Sequence, residues 1–283
     1  MLLDLLHRIV RRRFQSLGFQ SRVLESDVGR LHYLLRDHPQ PASTLILVHG
    51  LGTSSSTWLK ALPLIKGNHR VAALDLPGFG LSTVKRVSGF CTLQEHVEAL
   101  SVFLDCVAQK PFILLGHSFG GWLSAFYAAR HPQRIEKLVL VSSAGVYYRG
   151  VERLQEMFTL NSVNDARRLL NNLWYRYPWY FKPFARSILR DLSQRRMNEI
   201  VSSIDATHFL VEELARLTMP VDIVWGREDK VISPESVNVL RKFVPHATAF
   251  FIDHCGHVPQ LECPVKFASI VNHILEKKTH ELA

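Results

Sequence analysis

The sequence predicts an α/β protein: a mostly parallel sheet of eight strands with helices on both faces and an inserted helical segment. Three observations predict it. Apolar runs of strand length recur at 44–48, 70–74, 112–115, 137–141 and 221–225, and uninterrupted runs of this kind belong to strands buried on both faces. Helical patterns separate the first four, and strand–helix alternation builds a parallel sheet with right-handed crossovers. The alternation then stops between residues 146 and 219, where helices rich in arginine and aromatic residues take over. A structureless loop of that length is uncommon in a compact domain, so a helical insertion accounts for it better.

Taken in order, residues 1–14 place Leu2, Leu3, Leu5, Leu6, Ile9, Val10 and Phe14 largely on one helical face. Arg8, Arg11, Arg12 and Arg13 fall mainly opposite or at its flank. Asp4 interrupts the apolar part and the positive charges follow it, the reverse of a secretory signal. A basic amphipathic helix can lie in a membrane interface, or it can pack on its own domain or a partner subunit; both readings stay open for this segment, taken as residues 1–20. Runs at 22–25 and 31–35, joined through Asp27-Val28-Gly29, read as an antiparallel hairpin at a sheet edge. Thr92 with Glu95 three positions on is a capping box opening a helix to about Ala108. After the insertion the core resumes with the 221–225 strand, a helix after Pro234, a strand at 247–252 and a final helix from about Pro264 to Lys277. The expected division is a core of residues 21–145 and 220–283, with the helical insertion at 146–219.

The chain has 283 residues, enough for one large domain with a sizeable core. Its formal charge of +9 sits largely in the first helix and in the insertion. No helix-turn-helix, zinc-finger or RNP pattern accompanies that charge, which argues against a nucleic-acid partner; an anionic membrane surface suits the distribution better. Cys91, Cys106, Cys255 and Cys263 show no Cys-x-x-Cys pair or metal-ligand spacing, so they read as reduced core thiols of a cytosolic protein, with no metal expected. No apolar run approaches the roughly 20 residues of a membrane-spanning helix.

The chemistry centres on Gly116-His117-Ser118-Phe119-Gly120-Gly121, which follows an apolar strand and opens a helix. Strand, sharp turn and helix with a serine at the apex form a nucleophile elbow, whose glycines leave room for neighbouring backbone. A serine hydroxyl needs an adjacent base oriented by a carboxylate, and in an open parallel sheet such groups gather at the carboxyl ends of strands. Asp229, in the turn after the 221–225 strand, is preferred as the acid over Glu228 and Asp222. His257, after the last strand, is preferred as the base over His254, with Gly256 giving the backbone freedom to present it. The tetrahedral intermediate needs two N–H donors. These are expected at Phe119, after the nucleophile, and at Leu51 within His49-Gly50-Leu51-Gly52.

These motifs, with Asp75-Leu76-Pro77-Gly78-Phe79-Gly80-Leu81-Ser82, Trp225-Gly226-Arg227-Glu228-Asp229 and Cys255-Gly256-His257, resemble the α/β-hydrolase superfamily over nearly the whole chain. The resemblance implies the α/β-hydrolase fold, Ser118 as nucleophile, Asp229 as triad acid, His257 as base, and a cap between the sixth and seventh strands. Relatives that cleave carbon–halogen bonds carry aspartate at the nucleophile position, so Ser118 argues against dehalogenase and epoxide hydrolase activity. Carbon–carbon bond hydrolases of aromatic ring-cleavage pathways usually show asparagine before the serine, where this chain has His117. The insertion and the basic first helix look closest to monoacylglycerol-lipase-like esterases of the ABHD6 type, although such membrane-bound relatives carry a spanning N-terminal helix.

Selectivity is expected in the cap, where Phe158, Leu169, Leu173, Trp174, Trp179, Phe181 and Phe184 can form an apolar wall or simply the cap's own core. Trp174, Trp179 and Phe181, with Gly50 and Val258 on the strand-end loops, are the expected substrate contacts. The expectation is a cofactor-independent serine carboxylester hydrolase acting on an apolar ester. Its alternatives are a carbon–carbon bond hydrolase and a non-catalytic small-ligand-binding module.

Overall fold

The computed structural model describes residues 2–147, 151–179, 185–194 and 196–277. Helix α1 (Leu2–Ser16) leads into the hairpin of β1 (Gln20–Glu25) and β2 (Arg30–Arg36), followed by β3 (Thr44–Val48) and β4 (Arg70–Leu74). Then come α2 (Leu93–Val107), β5 (Phe112–His117), α3 (Phe119–Arg130) and β6 (Ile135–Val141). Here the chain leaves the sheet for α4 (Glu152–Phe158), α5 (Val163–Leu173), α6 (Ala185–Gln194), α7 (Met197–Ser202) and α8 (Glu212–Ala215). It returns through β7 (Val221–Gly226), α9 (Ser236–Phe243), β8 (Thr248–Ile252), α10 (Pro259–Glu262) and α11 (Pro264–Glu276). The expected capping box is present: the Thr92 hydroxyl accepts from the Glu95 N–H, and the Glu95 carboxylate accepts from the Thr92 N–H.

The strands form one eight-stranded sheet in the order β1-β2-β4-β3-β5-β6-β7-β8. β1 pairs with β2 and β2 with β4 antiparallel, and every later pairing is parallel. Side chains alternate across a strand, so each central strand feeds two cores. Ile46 and Val48 join Leu100, Phe103 and Leu123 on the α2–α3 face. Leu45 and Leu47 join Phe267, Val271 and Ile274 of α11 on the other, together with Phe14 of α1. Phe14 is buried against Phe19, ring centroids 5.5 Å apart, whereas Ile9 five residues back is 56% exposed. The last part of α1 is therefore packed on the domain. Among the described residues no helix is long and apolar enough to cross a membrane.

The thiols differ from expectation. Cys91 and Cys255 are buried, but Cys106 is exposed and Cys263 half-buried. Cys106 sits in the last turn of α2, away from that helix's apolar stripe, which contains Phe103, Leu104 and Val107.

One buried charge ties the last helix to the sheet. Lys137 of β6 is 4% exposed and donates its ammonium to the Ile274 carbonyl and, at 3.2 Å, to that of Lys277. These are among the terminal carbonyls a helix leaves without internal partners. Asp222 of β7 faces the same region; burial raises its pKa, and the Lys137 charge opposes that rise. A Lys137→Met variant keeps the length of the stem but strands the carbonyls and the carboxylate. We expect it to lose about 2 kcal/mol in urea unfolding, the scale of a hydrogen bond to a charged group.

Candidate active site

Ser118 lies between β5 and α3 at φ 52° and ψ −117°, a region costly for a residue with a Cβ. Its N–H donates to the Val141 carbonyl at 2.9 Å, and its carbonyl accepts the N–H groups of Trp122 and Ala144, each at 3.1 Å. The flanking glycines are needed for clearance. A Cβ on Gly116 would stand 2.4 Å from the Gly120 oxygen, and one on Gly120 2.4 Å from the His49 oxygen.

The structure brings the three expected side chains together. The Ser118 Oγ lies 3.0 Å from His257 Nε2, and His257 Nδ1 lies 2.8 Å from Asp229 Oδ2. The carboxylate can only accept, so Nδ1 carries the proton and Nε2 is left to accept from the serine hydroxyl. The other Asp229 oxygen accepts the Val231 and Ile232 N–H groups, each at 2.9 Å, which fixes the carboxylate's orientation. Asp229 is 6% and His257 1% exposed. The competing residues lie elsewhere. Asp222 faces Lys137, and the Glu228 carboxylate accepts the Cys255 N–H at 2.9 Å. The His254 side chain is 73% exposed, against Tyr175.

The histidine loop is held through its backbone. The His257 N–H donates to the Leu173 carbonyl at 2.9 Å, and the His257 carbonyl accepts from His117 Nε2 at 2.8 Å. Glu262 accepts the Gly256 N–H at 2.7 Å with the same carboxylate that takes the Tyr175 and Arg176 N–H groups at 3.1 and 3.0 Å. Gly256 serves packing here: its φ is not positive, and a Cβ would meet the Tyr175 nitrogen at 2.7 Å. Sequence reasoning passed over Glu262; its only signal was a carboxylate five residues beyond the histidine.

The Leu51 N–H is oriented from behind. His49 Nε2 accepts the Leu76 N–H at 2.9 Å, so Nδ1 carries the ring's proton and donates to the Gly50 carbonyl at 2.8 Å. Thr53 Oγ1 donates to the same carbonyl at 3.1 Å. In a planar trans peptide the Leu51 N–H must then point the opposite way. Among the described residues, no protein acceptor takes the N–H of Leu51 or of Phe119. Asp75 binds the loops after β3 and β4 together, accepting the Ser55 and Leu81 N–H groups and facing His32 Nδ1 at 2.7 Å. Burial pushes its pKa up, but the His32 hydrogen bond, the neighbouring imidazoles and the Leu81 N–H outweigh burial and leave it lowered.

Ser118, Leu51 and Phe119 line a cavity of about 300 Å³. Leu154 and Phe158 of α4, with Val201, Ile204 and Phe209, contribute its walls on the helical side. The expected aromatic contacts are corrected. Trp174 is 7% exposed and Trp179 77% exposed, and neither lines this cavity. Glu262 fastens residues 175 and 176 to the outer side of the histidine loop, and Trp174 faces a separate cleft there with Tyr175 and His254. Val258 is buried and likewise does not line the cavity. Gly50 lies beneath it: a Cβ there would meet His117 Nδ1 at 2.8 Å and the Ser118 Cβ at 3.1 Å. Phe181 and Phe184 fall outside the described residues. Leu169 belongs to the helices' own core. Phe119, Trp122, Tyr147, Phe158 and Phe209 are the rings that line the cavity; of the expected aromatic wall only Phe158 is among them.

Two buried histidines beside the site are held neutral. Burial lowers His96, whose ring lies 5.3 Å from that of Phe119, to about 4, and lowers His117 to about 3. In the unfolded chain both protonate near 6.5. The unfolded state therefore binds more protons between those values, and stability rises with pH across the window. We expect unfolding free energy to fall as pH drops below 6.5, by roughly 2 kcal/mol per histidine at pH 5. Denaturant titrations at stepped pH should show a shallower slope in a folded His96→Gln variant.

With this geometry in place, the comparisons with known proteins agree. The family described as alpha/beta hydrolase fold matches residues 43–216 and 203–264. The chain is 25% identical over 286 residues to the monoacylglycerol lipase ABHD6 of Rattus norvegicus, covering 91% of this chain and 82% of that protein. It is 29% identical over 232 residues to lipase 1 of Psychrobacter immobilis, covering 77% and 72% of the two chains. Among solved structures, a membrane phospholipase A superposes with a TM-score of 0.85 at 28% identity, over 96% of this chain and 91% of that one. This chain belongs to the alpha/beta hydrolase family.

Proposed function

We propose that this protein is a serine carboxylester hydrolase acting on apolar, lipid-like esters through an acyl-enzyme. The observation that carries the reading is the Ser118–His257–Asp229 relay, with contacts of 3.0 and 2.8 Å, opening into a largely apolar cavity. His257 Nε2 takes the proton of Ser118 as Oγ bonds to the ester carbonyl carbon. The carbonyl oxygen becomes an oxyanion, for which the Leu51 and Phe119 N–H groups are the donors. The tetrahedral adduct collapses, the carbon–oxygen bond to the alcohol breaks, and His257 returns the proton to the departing alkoxide. Water then gives a proton to His257 as its oxygen attacks the acyl carbon; the acid leaves, and Ser118 Oγ recovers the proton. Asp229 keeps the imidazole in one tautomer and stabilises the imidazolium. The helices between β6 and β7 act as the cap that supplies the apolar surroundings. The lipase and phospholipase names among the relatives support a lipid ester as substrate.

The first helix supports a lipid surface as the place of action. Arg11, Arg12 and Arg13 are exposed on a helix whose last part is docked through Phe14. Basic residues near an anionic surface contribute about 1 kcal/mol each.

Two experiments test these readings. A fluorophosphonate probe should label the wild type and leave Ser118→Ala unlabelled, with ester turnover lower by at least roughly 10⁴-fold; equal labelling of both would reject Ser118 as the nucleophile. Reversing Arg11, Arg12 and Arg13 to glutamate should weaken binding to phosphatidylserine vesicles by about a hundredfold or more. Unchanged co-sedimentation would remove the lipid-surface reading while leaving the hydrolase reading intact.

A further inference from the structure

The cavity beside Ser118 has a connected polar and aromatic wall. The Tyr147 hydroxyl donates to the Glu152 carboxylate at 3.2 Å. The Tyr147 ring stands edge-on to Phe209, centroids 5.8 Å apart, and Phe209 lies flat against Trp122 at 5.9 Å with 5° between planes. The Trp122 indole N–H donates to the His208 carbonyl at 3.1 Å, and His208 Nδ1 lies 2.9 Å from the Asp205 carboxylate. Glu152, Tyr147, Phe209, Trp122 and Asp205 all line the cavity that holds Ser118. Two carboxylates thus close the ends of one run of three rings.

No lysine or arginine lines this cavity among the described residues. Asp205 is held as an anion: the Thr207 hydroxyl and N–H donate to it at 2.5 and 2.9 Å, and these bonds, with His208, keep its pKa lowered. Aromatic faces attract cations through their quadrupole, and quaternary ammonium groups suit them because they have no N–H to satisfy. Both carboxylates are solvent-exposed, so water and salt screen them, but placed beside the rings they still add attraction for a cation and repel an anion.

We propose that this wall selects substrates by charge, favouring esters that carry an alkylammonium group within reach of Trp122, Tyr147 and Phe209 over neutral isosteres, and neutral over anionic ones. The proposal rests on the hydrolase reading for its substrate class, but the selection itself is a binding property. It assigns Glu152 and Asp205 as specificity residues, neither of them part of the proton relay.

Matched esters test it, with the charge placed on either side of the ester bond. One set is butyrate esters of choline, of 3,3-dimethylbutanol and of 2-hydroxyethanesulfonate. The other is methyl esters of 4-trimethylammoniobutanoate and of 5,5-dimethylhexanoate. With acid release followed by pH-stat, kcat/KM should favour the cation over its neutral isostere by roughly tenfold in at least one set, with the sulfonate ester slowest. In a Glu152→Gln/Asp205→Asn double variant the ratio should collapse several-fold, as it should in wild type at high salt. Equal rates across both wild-type sets, or a ratio untouched by the double variant, would overturn the proposal. A second measurement separates this from failure of the hydrolase reading. Ser118→Ala, titrated calorimetrically with hexyltrimethylammonium and with hexanesulfonate, should bind the cation more tightly by roughly tenfold or more even if no ester is turned over. Equal or reversed affinities there would overturn charge selection whatever the enzyme hydrolyses.

Discussion

Everything at the site depends on the backbone at Ser118. A residue held at φ 52° and ψ −117° stores about 1–3 kcal/mol that surrounding contacts must offset. Those contacts come from across the sheet: the Val141 carbonyl of β6, the Trp122 N–H of α3, the Ala144 N–H beyond β6, and the close approach of Gly120 to the carbonyls of Val48 and His49. The hydroxyl is therefore aimed only when β3, β5, β6 and α3 are all in register.

The surrounding imidazoles show how one ring comes to face both a carboxylate and a hydroxyl while its neighbours do not. His49 has both nitrogens committed, one accepting from the Leu76 N–H and the other facing the Gly50 carbonyl. His117 donates to the His257 carbonyl, with its ring centroid 5.1 Å from that of His257, and burial holds it neutral. His257 alone of the three faces both a carboxylate and a hydroxyl. Chemically identical side chains thus act as strut, spacer and acceptor according to which partner each nitrogen meets.

The core and the relay were legible in the sequence because both depend on local pattern. A strand buried on two faces must be apolar throughout, so 44–48, 112–115 and 221–225 announced themselves. Catalytic groups lie at carboxyl ends of parallel strands, so Ser118, Asp229 and His257 could be sought at three strand–loop junctions. The cavity wall was not legible. Helical periodicity separates the buried face of a helix from the exposed one, but it does not say which buried ring meets the cleft and which meets another helix. The dense aromatic run at 174–181 drew attention, yet Trp174 faces away behind the histidine loop, while Trp122, within α3, and Phe209, after α7, form the wall. Gly256 was read as a source of freedom and proved to be a point of contact with residues 173–175.

Glu262 joins two parts of the molecule that a static description treats separately. One carboxylate accepts N–H groups from Gly256 and from Tyr175 and Arg176. Lifting residues 175–176 would leave the Glu262 carboxyl short of two donors and would drag on the peptide next to His257. The Glu262 contacts therefore tie the loop that carries His257 to the chain leaving α5, so that a shift of either is transmitted to the other.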